Sequence, residues 1–417
     1  MFKETPEPPV QPAAEPVNSN GAAADRAPAK ETKQKEIEER EFLRHMPDVV
    51  CLSHLRWDFV YQRPQHLLSR FAHCARVYFV EEPMFEDTDV PYLNVSEREG
   101  GVQVAVPRLP HGFNPEQAES AQRELLDELL KEQEINRYAL WYYTPMALGF
   151  SAHLTPLLTV YDCMDELAAF KFAPPRLREL EGELFQKADL VFTGGRSLYE
   201  AKRNRHAAIY AFPSSIDKAH FAQARQELPQ PEDQAAIPTP RLGFFGVIDE
   251  RLDIALLDAL SEARPDWQLV VVGPVVKIDP ASLPRRANIH YLGGKSYTEL
   301  PAYLSGWDVA LLPFAINEST AFISPTKTPE YLAAGKPVVS TPVRDVVRPY
   351  GEEGLVHIAA TATEFEEAVG AALAQRGDEA WARKVEGFMS NMSWDQTWGQ
   401  MVRLMAEAAG QKKEKKA

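Results

Sequence analysis

Lys327 and Glu330 sit close together in S-P-T-K-T-P-E-Y-L-A-A-G-K-P-V-V-S-T, positions 324–341, and their types suit an anion held beside a diol. Thr328 is placed to cap a helix, Pro329 fits the first helical position, and Gly335 can end that helix in a left-handed conformation before the apolar Val338-Val339 strand. A helix start offers unpaired N–H groups and a partial positive charge, both attractive to phosphate. Lys327 adds a full charge, and Glu330 can accept hydrogen bonds from a pair of sugar hydroxyls. The plainer reading is a surface lysine and a carboxylate stabilising its own helix. Phosphate attraction next to diol recognition describes a nucleotide-sugar pocket better than most alternatives.

A second group of chemically capable residues lies in the first half of the chain. Y-D-C-M-D-E at 161–166 places Asp162 and Asp165 just after an apolar run, where a carboxylate could accept the proton of an attacking hydroxyl. Asp162 is the first candidate and Asp165 the second; capping of the segment that follows is the competing reading. S-H-L-R-W-D at 53–58, with Arg63 beyond it, offers His54, Arg56, Asp58 and Arg63 to position an acceptor or a phosphate, or to serve as surface groups and helix caps. Trp141, Tyr142 and Tyr143 could present faces to a sugar ring or pack a core. Lys277 and Lys295, in glycine-bearing loops, rank below Arg251 as phosphate ligands.

These residues need a scaffold, and hydrophobic patterning supplies one. Apolar strands are expected at 49–52, 76–80, 102–106, 138–142, 157–161, 188–193 and 208–212, with helices at 62–71 and 116–134. A second series begins at 241–245 and continues through 267–272, 288–292, 309–312, 338–341 and 355–359, interleaved with helices at 253–263 and 299–304. Alternating strand and helix predicts an α/β protein with two Rossmann-like parallel-sheet domains. The expected boundaries are a disordered tail at 1–44 with a charged helical lead-in from 36, an N-terminal acceptor-side domain at 45–225, and a proline-rich linker at 226–240. A C-terminal nucleotide-sugar-binding domain follows at 241–392, then a helix at 393–410 crossing back to the first domain and a basic tail at 411–417. Ligands of open parallel sheets bind beyond the carboxyl ends of strands. That singles out the loops 246–253, 273–277, 293–297 and 313–328.

The totals narrow the function classes. With 417 residues and 45% hydrophobic content the chain can build two cores. A net charge of −15 opposes general affinity for nucleic acid. Three cysteines, without zinc-ligand spacing, suit a reducing compartment, hence an expected cytoplasmic location. No apolar run reaches the length of a membrane span, which leaves peripheral contact with the inner face of a membrane as the form of association to expect, if any.

The segments Pro313-Phe314, Asn317-Glu318-Ser319-Thr320 and K-T-P-E-Y-L-A-A-G-K-P-V-V resemble the donor-binding region of GT-B glycosyltransferases of the bacterial cell-envelope and exopolysaccharide group. F-F-G-V-I-D-E-R-L-D at 244–253 is similar to the start of that group's second domain, and Ser393-Trp394 to the start of its returning helix. The resemblance spans 48–409. It implies a GT-B fold with two domains facing a central cleft, and transfer of a sugar from a nucleotide-diphosphate sugar, a UDP-sugar being favoured, to a glycan, lipid-linked or other hydroxyl acceptor. It further implies that Glu330 binds the ribose, Lys327 and Arg251 the diphosphate beside Gly246, and Asn317, Glu318, Ser319 and Thr320 the transferred sugar. No cofactor and no metal are implied. Many members carry two glutamates separated by seven residues, whereas position 322 here is Phe; many carry Arg directly after the first glycine, whereas position 247 is Val. These departures leave the sugar and the anomeric outcome open. Rival readings are a sugar-nucleotide epimerase on the same fold and a non-catalytic nucleotide-sugar or glycan-binding module. A dinucleotide oxidoreductase is disfavoured, since no G-x-G-x-x-G follows the first strand.

Overall fold

The computed structural model describes residues 37–414. Of the expected tail at 1–44, residues 1–36 lie outside the described residues, as do the last three of the basic end. Residues 37–44 form a helix, as the charged lead-in suggested, and the final helix runs on through Glu414, so most of the expected basic tail is helical.

Two sheets carry the molecule. The first has nine strands, β1 (Asp48–Leu52), β2 (Val77–Val80), β3 (Met84–Glu86), β4 (Tyr92–Glu97), β5 (Val102–Pro110), β6 (Tyr138–Tyr142), β7 (Leu158–Cys163), β8 (Leu190–Thr193) and β9 (Ile209–Ala211). Their order is β3-β5-β2-β1-β6-β7-β8-β9, parallel throughout except for β4, which pairs antiparallel with β5. β3 and β4 were not expected from the sequence. Their exposed Met84, Phe85, Tyr92 and Val95 break the buried-run pattern by which the central strands announce themselves.

The second sheet is wholly parallel, with strands β10 (Arg241–Phe245), β11 (Gln268–Val272), β12 (Ile289–Gly293), β13 (Val309–Leu312), β14 (Val338–Ser340) and β15 (His357–Ile358). Their order is β12-β11-β10-β13-β14-β15. Direction of travel reverses between β10 and β13 here, and between β1 and β6 in the first sheet. At such reversals the loops leave in opposite directions and open a crevice. The proline-rich stretch before β10 is bound to the second domain: Gln234 is fully buried, accepts from Trp307 Nε1 at 2.9 Å and donates to the Tyr303 carbonyl at 3.0 Å.

The domains are joined by an aromatic column and by the last helix, Trp394–Glu414. Trp394, Met401, Val402 and Met405 enter the core of the first domain beside Leu67 and Phe71 of the helix Arg63–Ala72. Trp394 stacks on His66 at 4.6 Å between ring centroids, His66 packs edge-on against Tyr61 and Tyr297, and Tyr297 stacks on His220 at 4.2 Å. Burial, with Arg70 and His220 nearby, pushes the His66 imidazole down to about 3, and burial lowers His220 as well.

A folded-state value below the unfolded one means that the unfolded chain binds the extra proton. His66 therefore contributes its full stability above about pH 6.5 and loses it as pH falls from there toward 3, a total on the order of 4 kcal/mol. His66→Phe should keep the stack and lower the midpoint of acid unfolding. Near-ultraviolet circular dichroism across pH 3–7 measures this, and an unchanged midpoint would refute it.

Candidate functional site

On the second-domain side, the helix Lys327–Ala333 begins earlier than the sequence suggested. Its cap position is Thr326, which makes no side-chain capping bond, while Thr328 and Pro329 lie inside the helix. Its C-terminal end is as expected: Gly335 has φ +71°, and the N–H groups of Gly335 and Lys336 donate to the Leu332 and Tyr331 carbonyls at 3.0 Å each. The helix is buried from Thr328 through Ala333, so β14 and its other neighbours hold it on every side.

Lys327 lies across the turn that follows β10. A Cβ on Gly246 would stand 2.2 Å from Lys327 Cε and 2.8 Å from its Nζ, and Gly246 has φ +145°, so both space and backbone require glycine there. Glu330 is 7% exposed, and its Oε2 is buried without a hydrogen-bond partner, as is Thr328 Oγ1. Burial raises the Glu330 carboxyl above the ordinary range against the pull of Lys327, and lowers the Lys327 ammonium. Buried polar atoms without partners cost about 1–3 kcal/mol each, and are uncommon outside functional sites.

Arg251 is held by Asp249 through Nε at 3.0 and 3.1 Å and Nη2 at 2.7 Å. This fork fixes the guanidinium in the same crevice, and it remains partly exposed. Asn317 and Glu318 are exposed on the loop after β13. Thr320 is turned inward on that loop and Ser319 bonds along its surface: Ser319 Oγ donates to Asn317 Oδ1 at 2.7 Å, and Thr320 Oγ1, on a residue 2% exposed, donates to the Ala315 carbonyl at 2.5 Å. These two hydroxyls shape the turn that presents Asn317. Lys295 is drawn away by Asp233 at 2.6 Å.

On the first-domain side the two aspartates differ sharply. Asp162 is fully buried and receives Arg63 Nε at 2.9 Å and Nη2 at 2.8 Å, while Arg63 Nη1 donates to the Phe212 carbonyl at 2.7 Å. The pair closes on itself beneath the crevice, so neither the expected first-choice base nor Arg63 faces it. Asp165 lies within electrostatic reach of Arg251 and Lys277 of the second domain. Burial lifts its carboxyl to about 6, although Arg251, Arg63 and Lys277 pull the other way.

The remaining first-domain candidates also divide. His54, after β1, has Nδ1 buried without a partner, and burial followed by the nearby Lys277 lowers its imidazole to about 4, so it is neutral at pH 7. Arg56 instead braces the loop after β2, donating to Glu81 at 2.9 Å and to the Glu82 carbonyl at 2.6 Å. Asp58 is an exposed partner of Arg98 at 2.8 Å. Both are engaged with partners of their own domain. Lys277, ranked low from sequence, joins the crevice: its Nζ lies 5.7 Å from the centre of the Phe170 ring, and the Arg251 guanidinium lies 5.8 Å from that ring. Local order does not single out Phe170, because only the fold brings its loop against two cations of the other domain.

A separate cavity of about 660 Å³ is lined by Phe42, Met46, Asp48, Arg137 and Ala406. Asp48 and Arg137 precede or begin strands, so this cavity lies at the amino ends of the first sheet, opposite the crevice. Among the described residues no group of three or more His, Cys, Asp or Glu side chains is arranged to hold a metal ion, and no helix is long and apolar enough to cross a membrane.

Residues 239–375 match the family described as Glycosyl transferases group 1. Over 305 residues, 67% of this chain and 75% of the other, the chain is 25% identical to a Bacillus subtilis (strain 168) protein named as a teichuronic acid biosynthesis glycosyltransferase, TuaH. Its fold is similar to that of sucrose-phosphate synthase from Thermosynechococcus elongatus, with TM-score 0.60 and 16% identity over 88% of this chain and 98% of that one. It is also similar to HepE of Anabaena, solved with UDP and glucose, with TM-score 0.60 and 15% identity over 86% and 99%. Two Rossmann-like sheets facing one another, with a group 1 glycosyl transferase segment forming most of the second, make this chain a glycosyltransferase of the GT-B fold.

Proposed function

We propose that the protein transfers a sugar from a UDP-sugar to a hydroxyl of a glycan or lipid-linked acceptor in cell-envelope or exopolysaccharide synthesis, in the cytoplasm, with peripheral contact at the inner face of the membrane where the acceptor is lipid-linked. The observation that carries the proposal is the convergence on one crevice of Lys327, Glu330, Gly246 and Arg251 from the second domain with Asp165 and His54 from the first. The donor diphosphate lies at the Gly246 turn, which the Lys327 side chain spans, between the charges of Lys327 and Arg251. Glu330, with an unpartnered oxygen, takes the ribose hydroxyls. Asn317 and Glu318 reach the transferred sugar, and Lys277, also from the second domain, adds charge where Phe170 of the first domain approaches it. The names of TuaH and of the UDP-bound HepE structure support a UDP-sugar and an envelope acceptor.

Chemically, the leaving diphosphate gains charge as the glycosidic bond breaks. Lys327 and Arg251, already fixed in place, stabilise that charge without reorganising. Asp165 takes the proton of the acceptor hydroxyl, and neutral His54 orients it. With its carboxyl near 6, Asp165 is mostly ionised at pH 7 and remains basic enough to accept a proton.

The active form is the ionised one, so kcat/KM should rise with pH through about 6 and level off above it. Asp165→Asn should lower kcat by about 10²–10⁴-fold and abolish that limb. The experiment is acceptor-dependent release of nucleoside diphosphate, measured across a panel of UDP-, GDP- and dTDP-sugars. Turnover equally fast without acceptor, or an Asp165→Asn enzyme of full activity, would overturn the reading.

A further inference from the structure

We infer that Asp345 is a positioning residue: from the second domain it caps a helix of the first, and through that helix it fixes the loop bearing Asp165. This rests on the role proposed above for Asp165. Asp345 is 6% exposed, and its two carboxylate oxygens accept from the backbone N–H groups of Arg196 and Ser197, each at 2.9 Å. These are the first two residues of the helix Arg196–Lys202, whose own cap position, Gly195, has no side chain to offer. A Cβ on Gly195 would stand 2.4 Å from Asp345 Oδ2 and 3.0 Å from Ser324 Cβ. The glycine therefore admits a carboxylate from another domain to the place where a local cap would otherwise sit. Arg344, next to Asp345, pairs with Glu200 on the same helix, so the contact has two anchors.

The other face of this turn presses on the Asp165 loop. A Cβ on Gly194 would stand 2.4 Å from the Met164 carbonyl oxygen, and Gly194 N–H donates to the Cys163 carbonyl at 2.9 Å. At the far end of the helix, the buried Lys202 ammonium lies 2.7 Å from Glu166 and 2.7 Å from Glu181. Met164, Asp165 and Glu166 are consecutive, so the loop is held on both sides of Asp165 by the element that Asp345 caps. Removing the cap frees the turn and with it the position of the carboxylate. A displacement of about 1 Å at a reacting group can cost about a hundredfold in rate. Seating of the second domain and placement of the base are thereby one event.

Two measurements on the full chain test this. In the transfer assay Asp345→Asn should lower kcat between about tenfold and a hundredfold and leave the dissociation constant for uridine diphosphate within about twofold. It should also move the acid limb near pH 6 by half a unit or more. In amide hydrogen exchange read by mass spectrometry, without substrate, the same variant should exchange faster at 162–166 as well as at 194–202. Asp345→Ala, which has no acceptor oxygen, should exceed Asp345→Asn in both effects, because the amide keeps one acceptor for the two N–H groups. Unchanged protection at 162–166 in both variants overturns the coupling, as does a fall in kcat with an unmoved acid limb. If exchange changes as expected and no UDP-sugar is turned over by wild type, the positioning stands and the transfer reading fails.

Discussion

Replacing Lys327 by alanine is expected to lower kcat/KM for sugar transfer about a thousandfold, equivalent to ~4 kcal/mol of transition-state stabilisation. Its ammonium is fixed over the Gly246 turn, in a crevice shielded from solvent, where a charge acts far more strongly than at an exposed surface. Part of the loss should appear as weaker uridine diphosphate binding, read by calorimetry, because the charge attracts the diphosphate before transfer as well as during it. Gly246→Ala should reproduce the defect with Lys327 intact. Its Cβ would meet the lysine chain at 2.2 Å, and φ +145° strains any side chain. A Lys327→Ala enzyme within tenfold of wild type in kcat/KM would remove the lysine from the site.

The second large effect falls on stability. Arg63→Ala and Asp162→Ala should each destabilise the chain by about 3–5 kcal/mol, because each leaves its partner charged and unpaired in the core. Arg63 is 2% exposed and Asp162 is wholly buried, so water cannot take the place of the missing group. Urea titration followed by fluorescence should show a lower midpoint for each. The paired replacement Arg63→Met with Asp162→Leu should recover most of the loss, since it removes both charges together. Single variants with wild-type midpoints would show that the pair is solvated.

The sequence was most legible where pattern and function coincide. Buried runs such as Val49–Leu52 or Val309–Leu312 read directly as central parallel strands, because both faces of such strands are covered. Lys327, Glu330 and Gly246 could be named because a helix start after a strand and a glycine after a strand carry their chemistry in local order. Asp162 and Asp165 could not be told apart. They are three positions apart on one strand end, and only the arrival of Arg63 from a helix far away in the chain decides which is consumed. The partners of Arg56, Asp58, Ser319 and Thr320 were hidden for the same reason, since they come from the fold or from within a turn. The Gly194-Gly195 pair is a local signal of another kind. Two glycines at a strand end mark a place where something approaches closely on both sides.

The helix Trp394–Glu414 has a consequence for how the chain is made. Trp394, Met401, Val402 and Met405 complete the apolar interior of the first domain, although they are encoded after the whole of the second. Domains usually fold in the order in which they leave the ribosome. Here the first domain is synthesised first and finished last, holding Leu67 and Phe71 against an empty groove while the second sheet emerges and assembles. At about 5–20 residues per second, that interval lasts on the order of tens of seconds. Translation thus delivers the two sheets in one order and closes their cores in the other, so that a chain lacking its last two dozen residues has no finished domain at its amino end.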